Sequence, residues 1–303
     1  MKNFNNDEYH CLAADLIGDI FYTKSSYRGK ISIIRQYTEI IIRRVLDLDP
    51  AKKITLGQVD IQNKIKTLTN YEFIQNAIEV IRVKGNLSSH TQCLESLTPE
   101  DFNNIVDALF DMLAFLLIEY FEKYEFGSRD DVMHSFSLLP PIIRYKVLSF
   151  LNKKYPENAS IIDRLVLALM KTFSVDVAFN WVKKSKDILI QMRTVSEKAF
   201  DGITERMGLE FANIIKDSAP PNMYQLCIDK ITTVGTTINE NGLLYSSFES
   251  ALPYYKKRGV LLGDVPEIEI FNDIMGFLYL GRKEEMERIS NEINPYLVME
   301  FTL

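Results

Sequence analysis

Residues 98–121 read TPEDFNNIVDALFDMLAFLLIEYF. Thr98 is an N-capping residue type, Pro99 fits the first helical position, where no N–H is needed, and Glu100 and Asp101 set negative charge against the positive end of the helix dipole. A helix therefore opens here and is expected to reach about Tyr124. From Ile105 to Phe121 almost every residue is apolar, the pattern of a helix covered on all sides. Asp107, Asp111 and Glu119 interrupt the run, and each would cost roughly 2.5–3.5 kcal/mol at the centre of a bilayer. This is a helix buried in protein, and no other stretch approaches the ~20 apolar residues of a membrane span.

Outward from that helix the 3.6-residue period dominates, and alternating strand patterns bounded by tight hairpin turns are scarce. An all-α chain is expected. On the N-terminal side, Leu12, Leu16, Ile17 and Ile20 mark a helix over 9–22. Ile33, Ile34, Tyr37, Ile41 and Val45 mark another over 30–48, stopped by Asp47, Asp49 and Pro50. A short helix near 61–68 follows. Asn70 then caps a longer one over 71–84 that Gly85 is placed to end, and residues 86–97, with four serines or threonines, read as a loop.

On the C-terminal side, Gly127 to Asp131 is polar and charged and marks the expected boundary between a bundle over 1–126 and a second all-helical domain over 132–303. Helices are expected near 141–154, 159–172, 174–191, 195–217, 221–238, 243–258, 267–280 and 282–293. Pro140-Pro141, Pro156, Pro220-Pro221 and Gly242 punctuate them. Segments of this length with short breaks suggest stacked helical hairpins, an irregular solenoid without a clear period.

Forty-one acidic against 35 basic residues give a formal charge of −6 over 303 residues, so the chain is no general polycation, and any nucleic-acid site must be local. Cys11, Cys93 and Cys227 have no paired spacing, and His10, His90 and His134 do not complete a zinc set. No metal and no cofactor are expected. No GxxxxGK[ST] loop occurs. The acidic, polar N-terminus does not read as a signal peptide, so the reducing cytoplasm is the expected compartment. Lys183-Lys184-Ser185-Lys186 and Lys256-Lys257-Arg258 read as solvated helix ends, and Phe173, Phe179 and Trp181 as core. Tyr245, Phe248, Tyr254 and Tyr255 are either a partner-facing patch or ordinary packing.

One polar cluster stands out, Ile81-Arg82-Val83-Lys84-Gly85-Asn86-Leu87-Ser88-Ser89-His90. A helix carrying Arg35 and Glu39 precedes it, and the long apolar helix follows. In this order the region from about residue 8 to 125 resembles the HEPN superfamily of α-helical domains, closest to its DUF4145 group, with an arginine, then glycine-asparagine, then a histidine after three further residues. The resemblance implies a metal-independent endoribonuclease, an effector or toxin of antiviral defence, that acts on RNA as a homodimer. It assigns His90 to the RNA 2′-hydroxyl or the leaving oxygen, and a guanidinium to the scissile phosphate. The chemistry suits the groups, since imidazole titrates near pH 6.5 and guanidinium grips phosphate bidentately.

The chain departs from the nuclease pattern at one place. Glycine stands at 85, where the arginine would fit, while Arg82 lies further back and Lys84 offers charge without the rigid fork. The expected set is thus His90, Arg82 and Asn86, supported by Arg35, Glu39 and Lys84. Two geometries stay open: a continuous helix puts 82, 86 and 90 on one face, whereas a break at Gly85 folds His90 back toward Arg82. Arg35, Glu39 and Arg43 either face this site or form an exposed ladder on their helix. The bland reading of His90 is a loop-packing histidine, that of Asn86 a helix cap, and that of Ser88 and Ser89 turn residues. The competing function is a non-enzymatic HEPN-like module that dimerises and docks a protein partner through its C-terminal helices.

Overall fold

The computed structural model describes residues 9–49, 52–69, 71–89, 96–195 and 197–285. They form fifteen helices, and among them there is no strand, so the chain is all-α. The N-terminal helices are α1 (His10–Phe21), α2 (Tyr27–Val45), α3 (Val59–Leu68), α4 (Glu72–Ser89), α5 (Pro99–Lys123) and α6 (Asp130–Ser137). After these come α7 (Pro141–Lys154), α8 (Ala159–Thr172), α9 (Val175–Lys184), α10 (Lys186–Gln191), α11 (Glu197–Met207) and α12 (Leu209–Ser218). The series closes with α13 (Met223–Asn241), α14 (Phe248–Arg258) and α15 (Pro266–Tyr279). No helix among the described residues is long and apolar enough to cross a membrane.

The chain divides into two compact units, one joining residues up to Ile143 with those from Ser247 onward, the other spanning Arg144 to Ser246. The polar stretch at 127–131 lies inside the first unit, in the α5–α6 connection and the first two residues of α6. The fold of that unit is organised by α5. Thr98 and Asp101 close a capping box over its first turn: the Thr98 hydroxyl accepts from the Asp101 N–H at 3.2 Å and the Asp101 carboxylate accepts from the Thr98 N–H at 3.0 Å. From Phe102 to Phe121 the helix is buried nearly throughout, each leucine of its core removing about 1.5–3 kcal/mol of exposure cost. Helices α2 and α4 pack on α5 and on each other, α1 packs on α2, and α15 returns to α5.

The return is held by aromatic and ionic contacts. The Tyr37 ring stacks on Phe277, with centroids 5.6 Å apart, and Tyr120 meets Phe271 at 5.1 Å. At Gly281, φ +71°, the chain passes so close to α1 that a Cβ would lie 2.5 Å from the Ala14 carbonyl oxygen, which only glycine tolerates.

The second unit packs α8, α9 and α13 together, with α10 against α13 and α9. Two expected helices are each broken in two. The segment over 174–191 is interrupted at Ser185, and that over 195–217 at Gly208, whose φ of +88° an ordinary residue adopts only with strain. The α11–α12 hairpin packs mainly on itself and leaves Met207, Leu209 and Ile214 exposed. The expected helix over 282–293 falls largely outside the described residues, and Arg282 to Lys283 are not helical.

Candidate functional site

The largest departure from the sequence reading is at Gly85. It does not end α4, which continues through Asn86 to Ser89, so residues 86–89 are helix rather than loop. The reason is packing. A Cβ at 85 would lie 2.8 Å from Arg35 Cδ, 3.0 Å from its Cβ and 3.2 Å from its Cγ. The glycine is the notch that lets α2 lay the stem of Arg35 across α4. Further along, Arg28 of α2 donates from Nη1 to the Leu87 carbonyl at 2.8 Å, supplying one of the carbonyls that a helix C-terminus leaves unmatched.

With the helix unbroken, Gln75, Glu79, Arg82 and Asn86 follow at i, i+4, i+7 and i+11 and share one face. Arg82 is held bidentately by Glu79, Nε to Oε2 at 2.8 Å and Nη2 to Oε1 at 2.5 Å. The hydrogen bond from Arg82 draws the Glu79 carboxyl below its usual range. The pair is exposed, and such pairs contribute about 0–1 kcal/mol. Beneath it, the stem of Arg82 runs past Gly57 in the segment before α3, with a Cβ at 57 placed 3.7 Å from Arg82 Cδ.

Arg35 borders this face through Gly85, and its Nε lies 3.7 Å from Glu39 Oε1. Burial pushes the Glu39 carboxyl up, opposed by the charges of Arg35 and Arg43. Arg35, Glu39 and Arg43 thus act on one another along α2, with both cations opposing the rise at Glu39. Arg43 donates to the Asp49 carbonyl at 3.4 Å and covers the Tyr9 ring at 5.9 Å. Lys84 points elsewhere: two residues past Arg82, it lies roughly 160° round the helix and bonds Asp101 Oδ1 at 2.6 Å. Arg82, Asn86 and Arg35 are therefore brought to one side of α4, and Lys84 is not. His90 lies outside the described residues.

Sequence reasoning missed the buried cations. Lys30, 1% exposed, sits over the Phe102 ring at 5.7 Å, and burial lowers its ammonium. Arg44 covers the Phe277 ring at 4.8 Å. The signal was available, because Lys30 and Arg44 fall in register with Ile34, Tyr37 and Ile41, on the apolar stripe of α2 rather than its polar side. A second buried set ties the two ends of the first unit together. The Tyr22 hydroxyl donates to Glu249 Oε1 at 2.7 Å, and Arg282 Nη1 lies 3.7 Å from the same oxygen, both charged side chains being 0% exposed. The Arg282 guanidinium is sandwiched by Phe21 at 4.4 Å and Phe248 at 4.2 Å. Of the late aromatic residues, Phe248 and Tyr255 are core and Tyr254 is exposed.

Comparison with protein-family models, curated proteins and solved structures finds no match. The α4 face is accordingly judged on its own chemistry: one guanidinium held by an exchangeable carboxylate, a second laid alongside over a glycine, and a carboxamide in line with the first. Two part-exposed arginines on adjoining helices, each beside a carboxylate, suit an anion with several acceptor oxygens, and phosphate is the common one.

Proposed function

We propose that the chain acts on RNA along this face of α4, as a HEPN-like protein in which Arg35 replaces the arginine missing at 85. The observation that supports the reading is the stem of Arg35 lying over Gly85. On this reading the α2 guanidinium serves in place of one that an arginine on α4 itself would have carried. Arg35 and Arg82 hold the phosphodiester. His90, assigned from the sequence alone, takes the proton of the 2′-hydroxyl as that oxygen attacks phosphorus. The imidazolium returns that proton to the 5′-oxygen as the P–O5′ bond breaks, and a 2′,3′-cyclic phosphate remains. The test is incubation of the purified protein with total RNA without added metal. Cleavage is expected from the native chain and lost in His90→Ala and Arg35→Ala. The double variant Arg35→Ala, Gly85→Arg, which moves the guanidinium back onto α4, is expected to recover part of it. RNA left intact by the native chain, or cleaved equally by every variant, overturns the reading.

A second reading is favoured by a different observation: Arg82, Lys84 and Arg35 each already face a carboxylate, Glu79, Asp101 and Glu39 respectively. A fold that spends its cations internally suits a non-enzymatic module that dimerises and docks a protein. That reading predicts pull-down of a partner that survives His90→Ala and is lost on a charge introduced at exposed Tyr254 or Ile214.

A further inference from the structure

We infer that the cleft between α3 and α4 is a subsite for a single RNA base, reading its edge through Gln62 and Gln75; the choice of RNA as its source rests on the function proposed above. The cleft has a volume of about 150 Å³ and is lined by Gln62, Ile65 and Lys66 from α3 and by Gln75, Ile78 and Glu79 from α4. Ile65 and Ile78 are each 4% exposed and make an apolar floor. Above the floor two carboxamides approach from opposite helices.

Those carboxamides are loosely held. Gln62 Nε2 reaches the Leu56 carbonyl, and Gln75 Nε2 the Thr69 carbonyl, each at 3.5 Å, the outer limit of a hydrogen bond. A carboxamide carries two N–H donors and a carbonyl acceptor, so one 3.5 Å bond apiece leaves bonding capacity on each side chain that lines the cleft. Donor and acceptor on one planar group match the edge of a nucleobase, the pairing that glutamine makes with adenine in DNA. In RNA, sequence is read on unpaired bases, by their edges and by apolar stacking. Clefts for drug-sized ligands run to about 300–1,000 Å³. This one takes one heterocycle and leaves its sugar and phosphate outside.

The register of α4 carries the argument further. Gln75 and Glu79 line the cleft, and Arg82 and Asn86 continue the same stripe. Arg82 lies about 10 Å along the axis from Gln75 and is already tied to Glu79 at the cleft wall. A base seated on Ile65 and Ile78 therefore directs its phosphate toward Arg82. Glu79 yields the guanidinium to that phosphate, since an exposed pair exchanges partners at little cost. Lys66 stands at the opposite wall. Size favours the one-ring bases.

The experiment is an NMR titration of the full chain with the four nucleoside 5′-monophosphates, following the side-chain amides of Gln62 and Gln75, alongside cleavage of RNAs that differ only in the base preceding the cut. Uridine or cytidine monophosphate is expected to shift both amides and to bind about tenfold tighter than the purine nucleotides, whose two rings exceed the cleft. Gln75→Leu and Gln62→Leu, checked for helicity by circular dichroism, should each weaken binding of the pyrimidine nucleotides about tenfold by removing an edge contact. If His90-dependent cleavage persists while no nucleotide moves the two amides, the subsite is refuted and the nuclease reading stands. If the nucleotides bind in the cleft and no RNA is cut, the subsite stands and the nuclease reading falls. Amide shifts of equal size with all four nucleotides, unchanged in the leucine variants, also refute it.

Discussion

Replacing Gly85 by alanine separates the two roles a glycine can have near a helix end. If Gly85 were a terminator in the left-handed region, alanine there would be strained and would destabilise α4 whatever residue stood at 35. Within a helix, alanine is favoured over glycine by about 1 kcal/mol. Here the new methyl carbon would lie 2.8, 3.0 and 3.2 Å from Arg35 Cδ, Cβ and Cγ. Arg35 Cβ is fixed to the α2 backbone, so rotating the side chain does not clear it, and the helices must move apart. Overpacking of this kind costs about 1–3 kcal/mol. The expected net loss is therefore ~0–2 kcal/mol, which alone is a weak result, and the informative measurement is the double-mutant cycle with Arg35→Ala. In that background the Cγ and Cδ obstruction is gone and only the Cβ contact at 3.0 Å remains, so the loss on Gly85→Ala should shrink, offset by the ~1 kcal/mol helix preference for alanine. The coupling is then the share of the ~1–3 kcal/mol overpacking cost that Cγ and Cδ impose, at roughly 2–4 °C per kcal/mol for a unit of this size. The assay is native-state hydrogen exchange of the α4 amides. Trp181, the single tryptophan, lies in the other unit, so its fluorescence melt serves as an internal control that should not move. A coupling below ~0.5 kcal/mol, within the error of additive sites, refutes the contact and with it the place given to Arg35.

Two further outcomes follow from the charges of the first unit. The hydrogen bond from Lys84 and the N–H of Thr98 hold the Asp101 carboxyl down at about 2, from 3.8. A depressed carboxyl contributes stability above its unfolded value that is lost as pH falls through the folded one. The stability difference between the native chain and Asp101→Asn, read by urea melts, should thus be constant above pH 3.8 and shrink towards pH 2; a difference that grows on acidification contradicts it. At the buried pair, Arg282→Met leaves the Glu249 carboxylate without its cation and should destabilise by about 3–5 kcal/mol, whereas Arg282→Met with Glu249→Gln should recover most of that. Equal losses in the single and double variants would show that the rings, not the charge, hold Arg282.

The all-α class was legible because the 3.6-residue period is written into nearly every segment, and the start of α5 because Thr98, Pro99 and Asp101 are local signals that need no tertiary context. Gly85 was not. A glycine followed by asparagine, serines and a histidine has the local character of a helix end, and what overrides it is a contact with a residue 50 positions earlier. The return of 247–285 onto the N-terminal helices was illegible for the same reason, since it rests on Arg282, Glu249 and Tyr22 meeting from opposite ends of the first unit. Lys30 and Arg44 were legible in their spacing, in step with Ile34, Tyr37 and Ile41 on the apolar stripe of α2, where a ring face can receive a cation.

The continuity of α4 also decides which residues can act together. At 100° per residue, a substrate phosphate lying along Arg82 and Asn86 has Arg35 beside it and Lys84 behind the helix, bound to Asp101. Recruiting Lys84 would require breaking a contact that also helps cap α5, the helix on which the whole unit is built. Recruiting Arg35 requires only that it leave Glu39, at 3.7 Å a loose partner whose own carboxyl is pushed up by burial. The energetic ordering therefore runs against the cation nearest in sequence to the expected arginine position and in favour of the one that the glycine admits. If the face is an RNA site, charge lost at 35 should matter more than charge lost at 84.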